Sequence, residues 1–224
     1  MKIHCISDTH LKHGFVNFEE NIDMVIFAGD AGTTKEVGEN ANNLLNFIEW
    51  FKYYPAKYKI AIPGNHDKCI EKGLVTKDDF YINGIKLLIH ESINIEGINI
   101  FGSPYTPTFG TGWAYNVDRG KLTPYWEQIP ENTDILVTHG PPYGILDITT
   151  DYNTNALIHV GDKELKNRIK EINPKYHIFG HIHNESNVIN AGIFKPSDSK
   201  TTYINASVLN LRYEYCNNGI IIDI

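Results

Sequence analysis

A short apolar run, Ile3-His4-Cys5-Ile6, stops abruptly at the polar cluster Ser7-Asp8-Thr9-His10, and this arrangement decides the fold because it recurs along the chain. Met24 to Ala28 ends in Gly29-Asp30, and Ile60 to Ile62 ends in Pro63-Gly64-Asn65-His66-Asp67. Ile135 to Val137 leads to Thr138-His139-Gly140, and His177 to Phe179 leads to Gly180-His181-Ile182-His183. Runs that do not alternate with polar residues read as strands buried on both faces, as in sheets sandwiched between helices. Residues at the C-terminal ends of strands in such sheets face a shared crevice. The polar clusters are therefore expected to meet at one place.

Between the second and third runs, Leu44, Phe47, Ile48 and Phe51 share one helical face, and Leu165, Ile169 and Ile172 share another before Pro174. Phe80-Tyr81-Ile82-Asn83-Gly84-Ile85-Lys86-Leu87 reads as a hairpin on an Asn-Gly turn. Further strand is expected at Ile98 to Phe101, Thr201 to Asn205 and Gly219 to Ile224. The pattern predicts a layered α/β sandwich with mixed sheets, in a single domain over residues 1–224. The stretch from Ser103 to Pro130, rich in Gly, Pro, Tyr and Trp, is expected to be a structured surface loop with one short helix, of the kind that lines binding sites.

With 42% hydrophobic and 21% charged residues and a formal charge of -7, the composition is that of an ordinary globular protein. So acidic a chain has few cations with which to neutralise many phosphates at once. That argues against a long nucleic-acid polymer and for a small phosphorylated ligand. Cys5, Cys69 and Cys216 lack disulfide or metal-type spacing, and Met1-Lys2-Ile3 runs straight into a strand without a secretory apolar region. No apolar run approaches the roughly 18 residues of a membrane span. A cytoplasmic protein without membrane attachment is expected; the oligomeric state is left open.

Taken singly, each polar cluster is weak. Asp8-Thr9-His10 alone is more often a turn or helix cap, and Thr138-His139-Gly140-Pro141-Pro142 could be a rigid turn. Five of them at strand ends are another matter, because together they offer carboxylates, imidazoles and one amide oxygen, a set suited to manganese, iron or zinc rather than calcium. His4, His90, His159 and His177 read as structural, and His13 lies close enough in sequence to back the site. Trp113, Tyr115, Asn116, Arg119 and Tyr143 are candidate substrate contacts, the aromatics by stacking and the others by hydrogen bonds to phosphate or base, with packing as the competing role of each.

Asp8-x-His10, Gly29-Asp30, Gly64-Asn65-His66-Asp67, Thr138-His139 and Gly180-His181-x-His183 resemble, in order, the five blocks of the calcineurin-like metallophosphoesterases. Phe101-Gly102-Ser103-Pro104-Tyr105, Trp113-Ala114-Tyr115-Asn116 and Thr202-Tyr203-Ile204-Asn205-Ala206-Ser207 resemble more narrowly the metallophosphoesterase-domain-containing phosphodiesterases. The resemblance implies a four-layer α/β/β/α sandwich of two mixed β-sheets flanked by helices. It implies two divalent cations, manganese first with iron, zinc or nickel as alternatives. One would take Asp8, His10 and His183, the other Asn65, His139 and His181, with Asp30 bridging. It assigns His66 as general acid, with Asp67 as a neighbour able to orient the imidazole.

Two cations about 3.5 to 4 Å apart can clamp a phosphoryl oxygen and acidify a bridging water to hydroxide, leaving a proton donor to be found on the leaving-group side. The expected activity is hydrolysis of a phosphodiester in a small substrate, cyclic nucleotides included. Phosphomonoesterases and nucleotide polyphosphate hydrolases on the same metal core are the alternative. A catalytically silent interaction scaffold would have lost ligands that are all present here.

Overall fold

The computed structural model describes all 224 residues, Met1–Ile224. In chain order the strands are β1 (Lys2–Ile6), β2 (Met24–Phe27), β3 (Tyr58–Ala61), β4 (Ile85–Leu87), β5 (Glu91–Ile95), β6 (Ile98–Ser103), β7 (Thr106–Pro107) and β8 (Asn116–Val117). They continue with β9 (Ile135–Thr138), β10 (Ile148–Thr150), β11 (Leu157–His159), β12 (Tyr176–Phe179), β13 (Gly192–Phe194), β14 (Thr202–Asn205) and β15 (Ile220–Asp223). Two helices of several turns, α1 (Val37–Phe51) and α5 (Lys163–Ile172), flank the short α2 (Lys68–Glu71), α3 (Lys77–Tyr81) and α4 (Thr123–Trp126) in sequence.

One sheet runs β15-β1-β2-β3-β4, parallel except for β15. The other runs β13-β14-β12-β9-β6-β5, parallel in the middle and antiparallel at both edges. Successive strand residues point to opposite faces, so each apolar run feeds two cores. Ile3, Met24, Ile26 and Ile60 of the first sheet meet Ile100, Ile135, Ile178 and Ile204 of the second in a central layer. Val25 and Phe27 turn outward onto Leu44, Phe47 and Phe51 of α1, while Leu136 and Phe179 turn outward onto Leu165 and Ile169 of α5. The layers are α/β/β/α, as the resemblance implied, and no helix is long and apolar enough to cross a membrane.

The helix ends follow from local chemistry. Glu36 caps α1 by accepting from the N–H groups of Gly38 and Glu39, and Asp162 caps α5 through Glu164 N–H. Asn173 ends α5 in a left-handed turn at φ 50° before Pro174 forbids its extension.

The hairpin expected over 80–87 does not form. Thr76 and Asp79 make a capping box that starts α3, Phe80 is buried on its inner face, and Asn83-Gly84 ends the helix with Gly84 at φ +74°. Ile85–Leu87 then pairs parallel with β3. The hairpin belongs instead to β5 and β6, across Glu96 and Gly97, both in the left-handed region.

His177 sits on β12 with no exposed surface, and its Nε2 lies 2.7 Å from Thr138 Oγ1. Thr138 donates its own hydroxyl hydrogen to Gly140 O, so Nε2–H is the donor and Nδ1 is left buried without a partner. Burial lowers the imidazole from 6.5 to about 3. Between those values the unfolded chain binds a proton that the folded chain refuses, so the stability this ring confers is complete above the upper value and is lost as pH falls toward the lower. Urea unfolding of the metal-free protein at several pH values should show His177→Phe flattening the acid-side slope by about 1.4 kcal/mol per pH unit. Identical slopes in the two proteins would mean that His177 is not a buried neutral group.

Candidate metal centre

The five polar clusters meet just beyond the C-terminal ends of β1, β2, β3, β9 and β12. The chain turns there in ways that cost energy. Asp8 (φ 56°), His10 (φ 39°), Asp30 (φ 64°) and His181 (φ 68°) all hold left-handed backbone conformations that are uncommon outside glycine. Two glycines allow the close approach. A Cβ on Gly64 would collide with Oδ1 of Asp30, and one on Gly180 with Oδ2 of Asp8.

Donor atoms of Asp8, His10 and His183 lie within 4.8 Å of one another, as do those of Asp30, His139 and His181. Asp30 joins the two groups, its Oδ2 standing 3.7 Å from His10 Nε2 and 3.2 Å from His139 Nε2. Asn65 Oδ1 lies 2.9 Å from that same nitrogen of His139. Three of the imidazoles are aimed from behind: Nδ1–H of His10 donates to Gly32 O (2.8 Å), of His139 to Ala28 O (2.9 Å) and of His183 to Asn210 O (3.0 Å). Each of these bonds turns Nε2 toward the centre.

The donor set fits a pair of divalent cations. Asp8 and Asp30 are buried, and their only ion-pair partners are histidines. Two carboxylates closed off from water without lysine or arginine call for positive charge from elsewhere. The protein meanwhile leans on its imidazoles. Burial alone would raise the carboxyl of Asp30, yet His139, His66 and His10 hold it well below the usual carboxylate range. Burial alone would lower His139, yet Asp30 raises it to about 9. His10 is lowered to about 4, chiefly by burial, and so presents the neutral form that ligates metals.

His66 stands at the edge of this group, its donor atom clustered with those of His10 and Asp30. Its ring lies edge-on to His10 at 4.6 Å and against Trp113 at 4.3 Å, and its Nδ1 faces Thr33 O at 3.3 Å. A main-chain carbonyl therefore orients this imidazole where the sequence suggested Asp67. The carboxylate of Asp67 is committed elsewhere: Oδ1 accepts from Ala31 N and Gly32 N, and Oδ2 from Asp30 N and Gly64 N, at 2.8 to 3.0 Å. Burial and the charge of Asp30 push its carboxyl up to about 6 against the pull of those N–H groups.

A cleft of about 390 Å³ opens over the donors and is lined by Trp113 and Arg119 among the expected substrate contacts. Arg119 holds two main-chain carbonyls, those of Val160 (2.7 Å) and Gly161 (3.2 Å). Asn116 does not line the cleft, since its amide donates to Thr106 Oγ1 and Ala114 O. Tyr115 is buried, and Tyr143 lines a separate cavity with His159 and Lys163. His13 packs on Phe47 and Trp50 and bonds Asn46, away from the donors. Three rings of the cleft wall escaped the sequence reading: Phe109, Tyr152 and Tyr213. They lie in irregular segments or at the tip of the small β10–β11 hairpin, where no periodicity marks them.

Buried carboxylates and imidazoles gathered at the strand ends of an α/β/β/α sandwich define a class, the metal-dependent phosphoesterases. The model of the calcineurin-like phosphoesterase family matches residues 1–185, and the chain belongs to that family, whose members hydrolyse phosphoesters at a binuclear divalent metal centre. Metallophosphoesterase domain-containing protein 1 of Homo sapiens and its namesake in Mus musculus are each 34% identical to it over 247 residues, across 98% of this chain and 70% of theirs. A solved structure of only 14% identity shares the fold, with a TM-score of 0.68 over 92% of this chain and 90% of that one.

The different commitments of neighbours 66 and 67 can be separated. Asp67→Ala, which strands four buried N–H groups, should destabilise the metal-free protein by at least about 3 kcal/mol in urea unfolding, whereas His66→Ala should cost under about 1 kcal/mol. Equal losses would refute the clamp assigned to Asp67.

Proposed function

We propose that this phosphoesterase cleaves phosphodiesters of small substrates, with His66 as general acid. The observation that carries the reading is the placement of His66: one imidazole beside the donor groups, oriented through Nδ1 by Thr33 O and opening onto the cleft. In this reading Asp8, His10 and His183 would hold one cation, Asn65, His139 and His181 the other, with Asp30 serving both. Manganese is the first choice for such a nitrogen and oxygen set, with iron, zinc and nickel behind it. Bound cations supply Lewis acidity at the phosphoryl oxygens and lower the pKa of water.

The chain's own residues do the rest. Thr33 O fixes the proton on Nδ1 of His66, and protonation of Nε2 makes the ring a donor to the departing alkoxide. Trp113 against the same ring excludes water from one side. The wall of the cleft supports a diester over a monoester. Arg119, already bonded to two carbonyls, is its one lysine or arginine, and Asp151 lies on it. The second negative charge of a monoester would find no free lysine or arginine there. A nucleotide ester, cyclic or open, is of a size to enter a cleft of about 390 Å³.

Manganese-loaded protein should turn over bis-p-nitrophenyl phosphate faster than p-nitrophenyl phosphate. His66→Asn should keep two manganese ions by atomic absorption while kcat falls by about 10²- to 10⁴-fold. Asp30→Ala should lose both metal and turnover. An unchanged kcat in His66→Asn would remove it from the acid role, and preference for the monoester would replace the diesterase reading with its monoesterase alternative.

A further inference from the structure

Two rings in the cleft wall rest directly on the donor histidines and keep a large free face. Phe109 packs against His181 with centroids 5.1 Å apart and is 50% exposed, and it stacks on Trp113 at 5.9 Å and 26°. Tyr213 packs edge-on against His10 at 4.7 Å and His183 at 5.6 Å and is 42% exposed. They arrive from segments far apart in the sequence and border one cleft, together with Pro107, Ile158 and Leu211.

Both rings are held by bonds that begin at the site itself. The segment bearing Phe109 returns to the site through Ala114 N–H to Asn65 O at 3.1 Å. It is pinned outside by Lys35, whose Nζ donates to Thr111 O and lies 3.8 Å from the Trp113 ring centroid. Tyr213 stands at φ 59°, a strained conformation for a bulky side chain. Asn210 enforces it: the carbonyl that receives His183 Nδ1–H also accepts from Tyr213 N–H, and its side chain accepts from the N–H groups of Arg212 and Glu214.

We infer that Phe109 and Tyr213 are two jaws of an aromatic clamp over the donor cluster, selecting esters in which the group retained on the phosphate after cleavage is planar and aromatic, an aryl ring or a nucleobase. The inference rests on the phosphodiesterase reading above for the chemistry, and on the cleft geometry for the selection. Aromatic faces attract flat π systems edge-to-face or offset-stacked, and rings already ordered by the protein lose little freedom on binding.

Phenyl p-nitrophenyl phosphate and methyl p-nitrophenyl phosphate share a leaving group and differ in the group retained, so their kcat/KM ratio on manganese-loaded protein reads the clamp. The ratio should favour phenyl by about 10-fold or more, the scale of two aromatic pairs. Phe109→Leu and Tyr213→Leu should each reduce it by about 3- to 10-fold, and Tyr213→Phe should keep it. Calorimetric binding of phenylphosphonate against methylphosphonate gives the same comparison without turnover. A third diester, thymidine 5′-(p-nitrophenyl phosphate), identifies the ring: turnover above the phenyl diester assigns the clamp to a nucleobase, and turnover between the two simpler diesters assigns it to an aryl group. A phenyl-to-methyl ratio near one, or one untouched by both leucine variants, overturns the clamp while leaving the diesterase reading in place. Absent turnover with a phenylphosphonate preference that both leucine variants abolish would support the clamp and sink the diesterase reading instead.

Discussion

Four main-chain N–H groups, those of Asp30, Ala31, Gly32 and Gly64, converge on the carboxylate of Asp67, and the placement of the site depends on that convergence. It binds the turn after β2 to the turn after β3, so Asp30 and Asn65 cannot drift apart independently. The same device recurs around it: Asp30 accepts from His66 N–H, and Asp8 accepts from His181 N–H across the two sheets. Each acidic side chain thus secures the backbone of a neighbouring strand end. Charge-assisted bonds of this kind are about twice as strong as neutral ones, and they receive the N–H groups of Asp30 and His181, two of the four left-handed site residues, while Asp8 and His10 donate to the main-chain carbonyls of Gly29 and Asp30.

The central layer supplies the rigidity beneath. Ile3, Ile26, Ile60, Ile135 and Ile178 are fully buried between the sheets, so the strand ends are fixed relative to one another. A close-packed interior transmits little freedom to what it carries. The flanking helices cover Phe27, Leu136 and Phe179 on the outer faces, and α1 also reaches the site, where Asn40 donates to His66 O at 2.7 Å and Asn43 Oδ1 accepts from Thr33 N–H at 3.2 Å.

What was legible in the sequence followed from this division. Strands buried on both faces leave unbroken apolar runs, and a site at strand ends leaves polar clusters just after them, so Asp8, His10, Asp30, Asn65, His139, His181 and His183 were visible as a group, and the structure gathers them. The segment 80–87 misled because Asn-Gly serves equally well to end a helix, and the capping box at Thr76 that decides between the two lies outside the alternating stretch. The commitment of Asp67 was hidden because its partners are main-chain groups, which carry no sequence signature. Asn116 and Tyr143, candidates by their capacity to hydrogen-bond and to stack, lie off the cleft, while Phe109 and Tyr213 reach it from stretches without a period to read.

The donors come from five strand ends scattered between positions 8 and 183. No fragment short of that span carries the whole set, and the unfolded chain brings no two of the clusters together. A cation held by the whole set would favour the folded chain over the unfolded one, which keeps only local pairs such as His181 and His183, and would so add binding free energy to the folded state. Metal content would then rise with the folded fraction, and chelation would lower the stability of the fold.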